Sequence, residues 1–171
     1  DDLAGLFDDW SAEKIFKKTG IRERAIAAAG ETAGDLAASA AESVFSDYSI
    51  APESIDFLIF CTQSPDYFLP TTACVIHRRL GLRSNAGAID VNQGCSGFVY
   101  SLSLAKGLIA SGSASRVLIL TADTYSKYIH PRDKSVRTLF GDAGAAVVVD
   151  AAAAESASRI GSFVFGTDGA G

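Results

Sequence analysis

Two short apolar runs constrain this chain most. IDFLIFCT (55–62) and RVLILTA (116–122) are almost continuously apolar. A strand with one solvated face alternates apolar and polar residues, so runs like these belong to strands covered on both faces. Helical patterns separate them. Between 33 and 48, apolar residues fall at Ala33, Leu36, Ala37, Ala40, Val44, Phe45 and Tyr48, with Asp35, Glu42, Ser46 and Asp47 opposite. That spacing predicts an amphipathic helix, with Thr32 as its N-cap and Pro52 beyond its end. TTACVIHRRLG (71–81) reads as a short helix capped by Thr71 or Thr72 and stopped by Gly81.

NAGAIDV (85–91) predicts the next strand. A long apolar helix then carries Phe98, Val99, Leu102, Ala105, Leu108 and Ile109 on one stripe. GAAVVVD (144–150) and RIGSFVFGT (159–167) predict two more strands, joined by a linker that includes residues 151–156. Strand and helix in alternation imply right-handed crossovers and a mostly parallel sheet with helices on both faces. The fold class is therefore α/β. Function in such sheets gathers where strands end and helices begin.

The segment DVNQGCSGFVYSLSLAKGLI (90–109) places Cys95 at such a junction, inside Gly94-Cys95-Ser96-Gly97. A helix N-terminus carries partial positive charge and unpaired N–H groups. A thiolate is stabilised there, and the same N–H groups can hold an oxyanion formed when sulfur attacks a carbonyl. The following helix has only Lys106 as a charge before Gly112, which predicts that it is buried. Cys95 is thus a candidate nucleophile. A structural cysteine is the other reading. Cys61 and Cys74 read as core residues. A thiol nucleophile usually needs a base. His77 sits beside two arginines and His130 precedes Pro131, and neither is a convincing partner.

Apolar residues make up 48% and charged residues 20% of the 171, as in a globular soluble domain. The net charge of −5 argues against nucleic acid as a main partner. No stretch approaches the ~20 apolar residues that cross a bilayer. Three cysteines without metal-ligand spacing suggest free thiols in a reduced, cytoplasmic setting, with no metal and no cofactor expected.

Four stretches carry a resemblance: KKTGIRERAIAAAGET (17–32), LPTTAC (69–74), DVNQGCSGFVYSLSLA (90–105) and FGDAGAAVVV (140–149). In order and spacing they resemble the N-terminal half of β-ketoacyl-acyl-carrier-protein synthase III, a condensing enzyme of the thiolase superfamily. The resemblance implies a thiolase-like half-domain over 1–171, with a buried central helix beginning at Cys95 and a C-terminal half elsewhere. A chain without Met fits that expectation of a fragment. It implies that Cys95 takes an acyl group from a primer thioester, and that malonyl-acyl carrier protein then condenses with it after losing CO₂. The family's His and Asn belong to the other half, so this half alone is expected to be inactive. A non-catalytic partner subunit and a thioester hydrolase or transferase on the same fold are the alternatives.

Departures from the family pattern set further expectations. Members that use acyl-CoA carry a Trp and an Arg at positions occupied here by Lys14 and Lys134. Trp10 lies too early in the sequence to be an obvious substitute. Two lysines act as point charges rather than stacking a purine, which shifts the expected acyl donor from acyl-CoA toward acyl carrier protein. Leu69 replaces a Phe that enters the partner subunit's acyl pocket, so a primer longer than acetyl is expected, with Phe68 or Tyr67 able to compensate. Arg22 and Arg24 are expected to be structural, in ion pairs with Glu23 or nearby acids; the resemblance puts their segment near the substrate entrance, where docking is the second reading. Asp142 is expected to be structural. The resemblance also implies a homodimer paired through an edge strand, matched here to RVLILTA.

Overall fold

The computed structural model describes residues 3–7, 10–152 and 159–170. Four strands form one sheet in the order β2-β1-β3-β4. They are β1 (Phe57–Cys61), β2 (Gly87–Val91), β3 (Arg116–Asp123) and β4 (Ala143–Asp150). β1 runs parallel to both β2 and β3, with Ile59 opposite Ile89 and Ile119, while β4 runs antiparallel to β3. The helices are α1 (Leu3–Leu6), α2 (Ala12–Thr19), α3 (Ala33–Asp47), α4 (Thr72–Arg79), α5 (Gly97–Ala110) and α6 (Lys134–Arg137). The mixed sheet with helices on both faces is the expected α/β architecture.

Alternation along the two central strands divides the core. Leu58, Phe60, Leu118 and Leu120 point to one face, where they pack with Ala37, Ala38 and Ala41 of α3 and Ile76 of α4. Ile59, Val117 and Ile119 point to the other, against Ala105 of α5. Both faces of β1 and β3 are therefore buried, which is why their sequences show no polar alternation. The alanines of α3 let it lie close to the sheet. At Gly144 of β4, a Cβ would stand 2.5 Å from the Leu36 carbonyl oxygen, so the strand meets the helix backbone to backbone.

α3 begins with a capping box: Thr32 Oγ1 accepts from Asp35 N (3.1 Å), and Asp35 Oδ2 accepts from Thr32 N (2.9 Å). α4 is capped differently from expectation. Neither Thr71 nor Thr72 closes its first turn; the Asp90 carboxylate on β2 accepts from Thr72 N (2.9 Å) and Ala73 N (2.7 Å).

Several expectations need correction. The 116–122 run, β3, is paired on both sides, so it is central and not the edge strand. The edges among the described residues are β2 and β4. Residues 160–167 form no strand. Their backbone finds no ladder, and they run instead along α5, where Tyr100 and Phe165 rings lie 4.9 Å apart and Lys106 Nζ donates to the Gly161 carbonyl (2.7 Å). Of the expected linker, Ala153, Ala154, Glu155 and Ser156 lie outside the described residues. α5 starts at Gly97, two residues after Cys95. Only its sheet-facing side is buried, through Gly97, Ser101 and Ala105, whereas Phe98, Val99 and Leu104 are exposed. Cys74 is exposed, not core, because α4 turns Ala73 and Ile76 inward.

Asp142 has the structural role expected of it. It is buried, and its carboxylate accepts from Ala27 N (2.8 Å), Ser126 N (2.8 Å) and Ser126 Oγ (2.5 Å). Burial works to raise its pKa, but these bonds and the nearby Lys127 outweigh it and hold the carboxyl below the usual carboxylate value. A depressed folded-state pKa contributes stability that is complete above the unfolded value of about 3.9 and is lost as pH falls through the folded value. Asp142→Asn should therefore destabilise the protein at pH 7 and flatten its loss of stability between about pH 5 and pH 2. Urea unfolding across that range checks both.

Candidate active site

β2 ends at Val91, and the chain turns through Gly94 and Cys95 into α5. Gly97 N donates to the Gly94 carbonyl (2.8 Å), closing the turn that presents Cys95. Cys95 is exposed, one residue before the N-cap Ser96, whose side chain makes no bond to the helix. The first-turn amides are thus left without a side-chain cap. The corner rests on the last residue of β1. A Cβ at Gly97 would lie 2.2 Å from Cys61 Sγ and 2.9 Å from Gln93 Cβ, so only glycine lets α5 start here. Cys61 is buried, and its thiol donates to the Gln93 carbonyl at 3.5 Å. Burial, assisted by the charge of Asp123, pushes that thiol up, so it stays protonated at neutral pH.

The neighbouring wall comes from the ends of β1 and β3. Asp123 Oδ1 accepts from Thr62 Oγ1 (3.0 Å), Gln63 N (2.7 Å), Ser64 N (3.0 Å) and Ser64 Oγ (3.0 Å). One carboxylate oxygen thus fixes the turn after β1. That turn sets the Gln63 side chain against Gly94, where a Cβ would be 3.1 Å from Gln63 Oε1. Tyr125 Oη donates to the same oxygen, and the Tyr125 ring stacks on Phe140 with centroids 5.3 Å apart. Burial first, then the charges of Asp123 and Cys95, push the Tyr125 phenol up. Gln63 and Cys61, which pack on Gly94 and Gly97 on either side of Cys95, and Asp123 and Tyr125, which hold Gln63, are parts of this corner that sequence reasoning missed. The available signal was their position at C-terminal strand ends.

The other sequence-derived residues make contacts of their own, with Arg24 reaching the corner's wall through Phe140. Phe68 and Leu69, 97% and 89% exposed, project from the loop before α4. Arg22 stacks over Phe16 at 4.7 Å and lines a cleft of about 660 Å³ with Ile15, Phe16, Glu23 and Arg24, which Cys95 does not line. Arg24 donates to the Phe140 carbonyl (2.5 Å). Lys14 and Lys18 lie over the Trp10 ring at 5.9 and 5.0 Å, and Lys134 lies over Phe7 at 5.6 Å. Trp10 thus stands beside Lys14 despite its sequence offset: it precedes the N-cap Ser11, and Lys14 and Lys18 lie one turn apart on α2, both over its ring. The histidines make local bonds: His77 Nε2 with the Arg83 carbonyl (2.9 Å), and His130 Nδ1 with Arg132 N (3.2 Å). Among the described residues, no group of three His, Cys, Asp or Glu could hold a metal ion.

The fold and this corner define a thiolase-like α/β unit with a cysteine at the mouth of a sheet-packed helix. Comparison with known proteins narrows the class. Residues 89–169 match the family model of 3-oxoacyl-[acyl-carrier-protein (ACP)] synthase III. A β-ketoacyl-[acyl-carrier-protein] synthase III from Lactococcus lactis subsp. lactis is 42% identical over 91% of this chain and 47% of its own length. A crystal structure of 3-oxoacyl-(acyl-carrier-protein) synthase III superposes with TM-score 0.94 and 62% identity, covering 98% of this chain and 49% of the other. A 3-oxoacyl-(acyl-carrier protein) synthase from Burkholderia xenovorans gives TM-score 0.84 and 39% identity over 88% of this chain and 43% of the other. The chain spans about half the length of the curated relatives it matches. In sequence and fold it belongs to the β-ketoacyl-acyl-carrier-protein synthase III family.

The tight fit at Gly97 can be tested by a two-site cycle. In the full-length protein, Gly97→Ala should cost about 1–3 kcal/mol from overpacking. Adding Cys61→Ala should restore part of that loss, because the sulfur is the nearest obstruction. Denaturant unfolding of the four proteins reads the coupling, and strict additivity would remove the argument.

Proposed function

We propose that the protein containing this chain is a condensing acyltransferase whose nucleophile is Cys95. The observation that carries this reading is the exposed cysteine at the β2–α5 corner, in a chain whose relatives are named for this reaction. The Cys95 thiolate attacks the carbonyl of a primer thioester, and the carrier leaves as a thiol. The carrier-bound malonyl group then loses CO₂. Its carbanion attacks the acyl-Cys95 carbonyl, the C–S bond breaks, and a β-ketoacyl thioester departs on the carrier. Main-chain amides at the start of α5 suit the transient oxyanion. His77 and His130 are engaged elsewhere, so the polarising His and Asn of the family pattern are assigned to residues outside these 171.

Acyl carrier protein is the proposed carrier, with acyl-CoA as the alternative primer donor. Lys14, Lys134 and Arg22 are proposed to meet it as cations on the α2 side, and the chain's free cysteines favour a cytoplasmic setting. No helix among the described residues is long and apolar enough to cross a membrane. We also propose a homodimer joined through β2. Its outer side is unpaired among the described residues, Ile89 is exposed, and Asp90 anchors the start of α4 just after Phe68 and Leu69. Pairing removes an aggregation-prone edge. It would also deliver Leu69, and Phe68 beside it, to a second copy.

Two experiments test these readings. The full-length protein incubated with acyl-CoA or acyl-acyl-carrier protein should gain one acyl mass by intact-mass spectrometry, and Cys95→Ala should gain none. Equal gain in the variant, or none in the wild type, removes the nucleophile. Gel filtration should give a dimer that Ile89→Lys weakens, and a wild-type monomer at micromolar concentration would contradict the pairing.

A further inference from the structure

Stretches far apart in sequence meet around one open pocket of about 180 Å³. Leu3 and Leu6 of α1, with Ile26 and Ile129, give it apolar walls. Arg24, from the segment after α2, and Arg137, the last residue of α6, line it as well, and Cys95 does not. The two guanidiniums act on each other. Burial first, then the charge of Arg137, pull the Arg24 guanidinium below its usual value. Asp142 opposes this, but its carboxylate is already held by Ala27 N, Ser126 N and Ser126 Oγ. Among the described residues neither arginine belongs to an ion pair, so the pairing expected of Arg24 with Glu23 is not formed. Arg24 gives one N–H to the Phe140 carbonyl (2.5 Å). Arg137 Nε is buried and meets no acceptor among the described residues.

A buried N–H without an acceptor is costly, and two cations on one pocket repel. An oxyanion between them offsets both. The planar guanidinium fork matches a carboxylate, which accepts two parallel N–H bonds from it. The walls select the rest of the ligand. A strongly hydrated inorganic ion gains nothing from four aliphatic side chains, whereas a short alkyl body removes their surface from water. We propose that Arg24 and Arg137 hold the carboxylate of a small aliphatic acid, whose alkyl part lies on Leu3, Leu6, Ile26 and Ile129. A pocket of this volume takes a body of a few carbons. The proposal needs no step at Cys95, so it and the acyl-Cys95 reading stand or fall separately.

The test uses the full-length protein at low salt, where charge recognition is least screened, and isothermal titration calorimetry. The probe is sodium butyrate. Butyrate should bind, its uncharged counterpart butyramide should not, and inorganic phosphate should bind more weakly than butyrate. Arg137→Gln removes the charge and the fork, leaves the Arg24 bond to Phe140 in place, and should weaken butyrate binding by about tenfold. Leu6→Glu changes an exposed position of α1. It sets a carboxylate against the pocket and should abolish the butyrate heat, so it decides the matter if Arg137→Gln unfolds early in a thermal melt. Butyrate bound elsewhere on the protein is unmoved by either substitution. That result overturns the proposal, as do equal heats from butyramide, tighter binding of phosphate, or no butyrate binding by the wild type.

Discussion

The approach of Gly97 to the Cys61 sulfur decides where everything around the thiol can stand. α5 reaches the sheet at that point because its first residue has no side chain. From there the Gln93 carbonyl meets the buried thiol, Gly94 meets the Gln63 amide, and Cys95 is left outward between them. The corner is therefore built on the end of β1. β3 lies in register beside β1 and brings Asp123 and Tyr125 to the same level.

Aspartates do much of the joining. Asp56 accepts from Ser115 N (2.7 Å) and Arg116 N (3.0 Å) at the start of β3. Asp66 accepts from Thr32 Oγ1 (2.8 Å) and Gly34 N (3.0 Å), tying the loop after β1 to the cap of α3. Asp90, Asp123 and Asp142 serve other junctions in the same way. Five of the chain's 20 acidic residues are thus connectors between segments distant in sequence. An acidic composition suggests a negative surface, yet part of that charge is committed to main-chain N–H groups.

The sequence disclosed whatever depends on neighbours along the chain. The N-cap at Thr32, the two-face burial of β1 and β3, and the glycine-bounded cysteine turn are all local patterns. Strand order is not local, so RVLILTA could be recognised as a strand without its central place being visible. Residues 159–167 have strand-like composition, but a strand needs a ladder, and the segment lies over α5 instead. α4 has only eight residues, and in two turns a shift of one position moves a side chain to another face, which is how Cys74 was misplaced. The Gln63–Tyr125 bond joins residues whose proximity exists only after β1 and β3 pair.

The outward position of Cys74 has a practical side. Within these 171 residues a thiol reagent meets two open sulfurs, Cys74 and Cys95, while Cys61 is shielded. Two labels on this part of the protein are then no sign of its denaturation, and loss of function on alkylation cannot by itself be credited to the corner cysteine. A Cys74→Ser background leaves the corner sulfur as the open thiol of these residues.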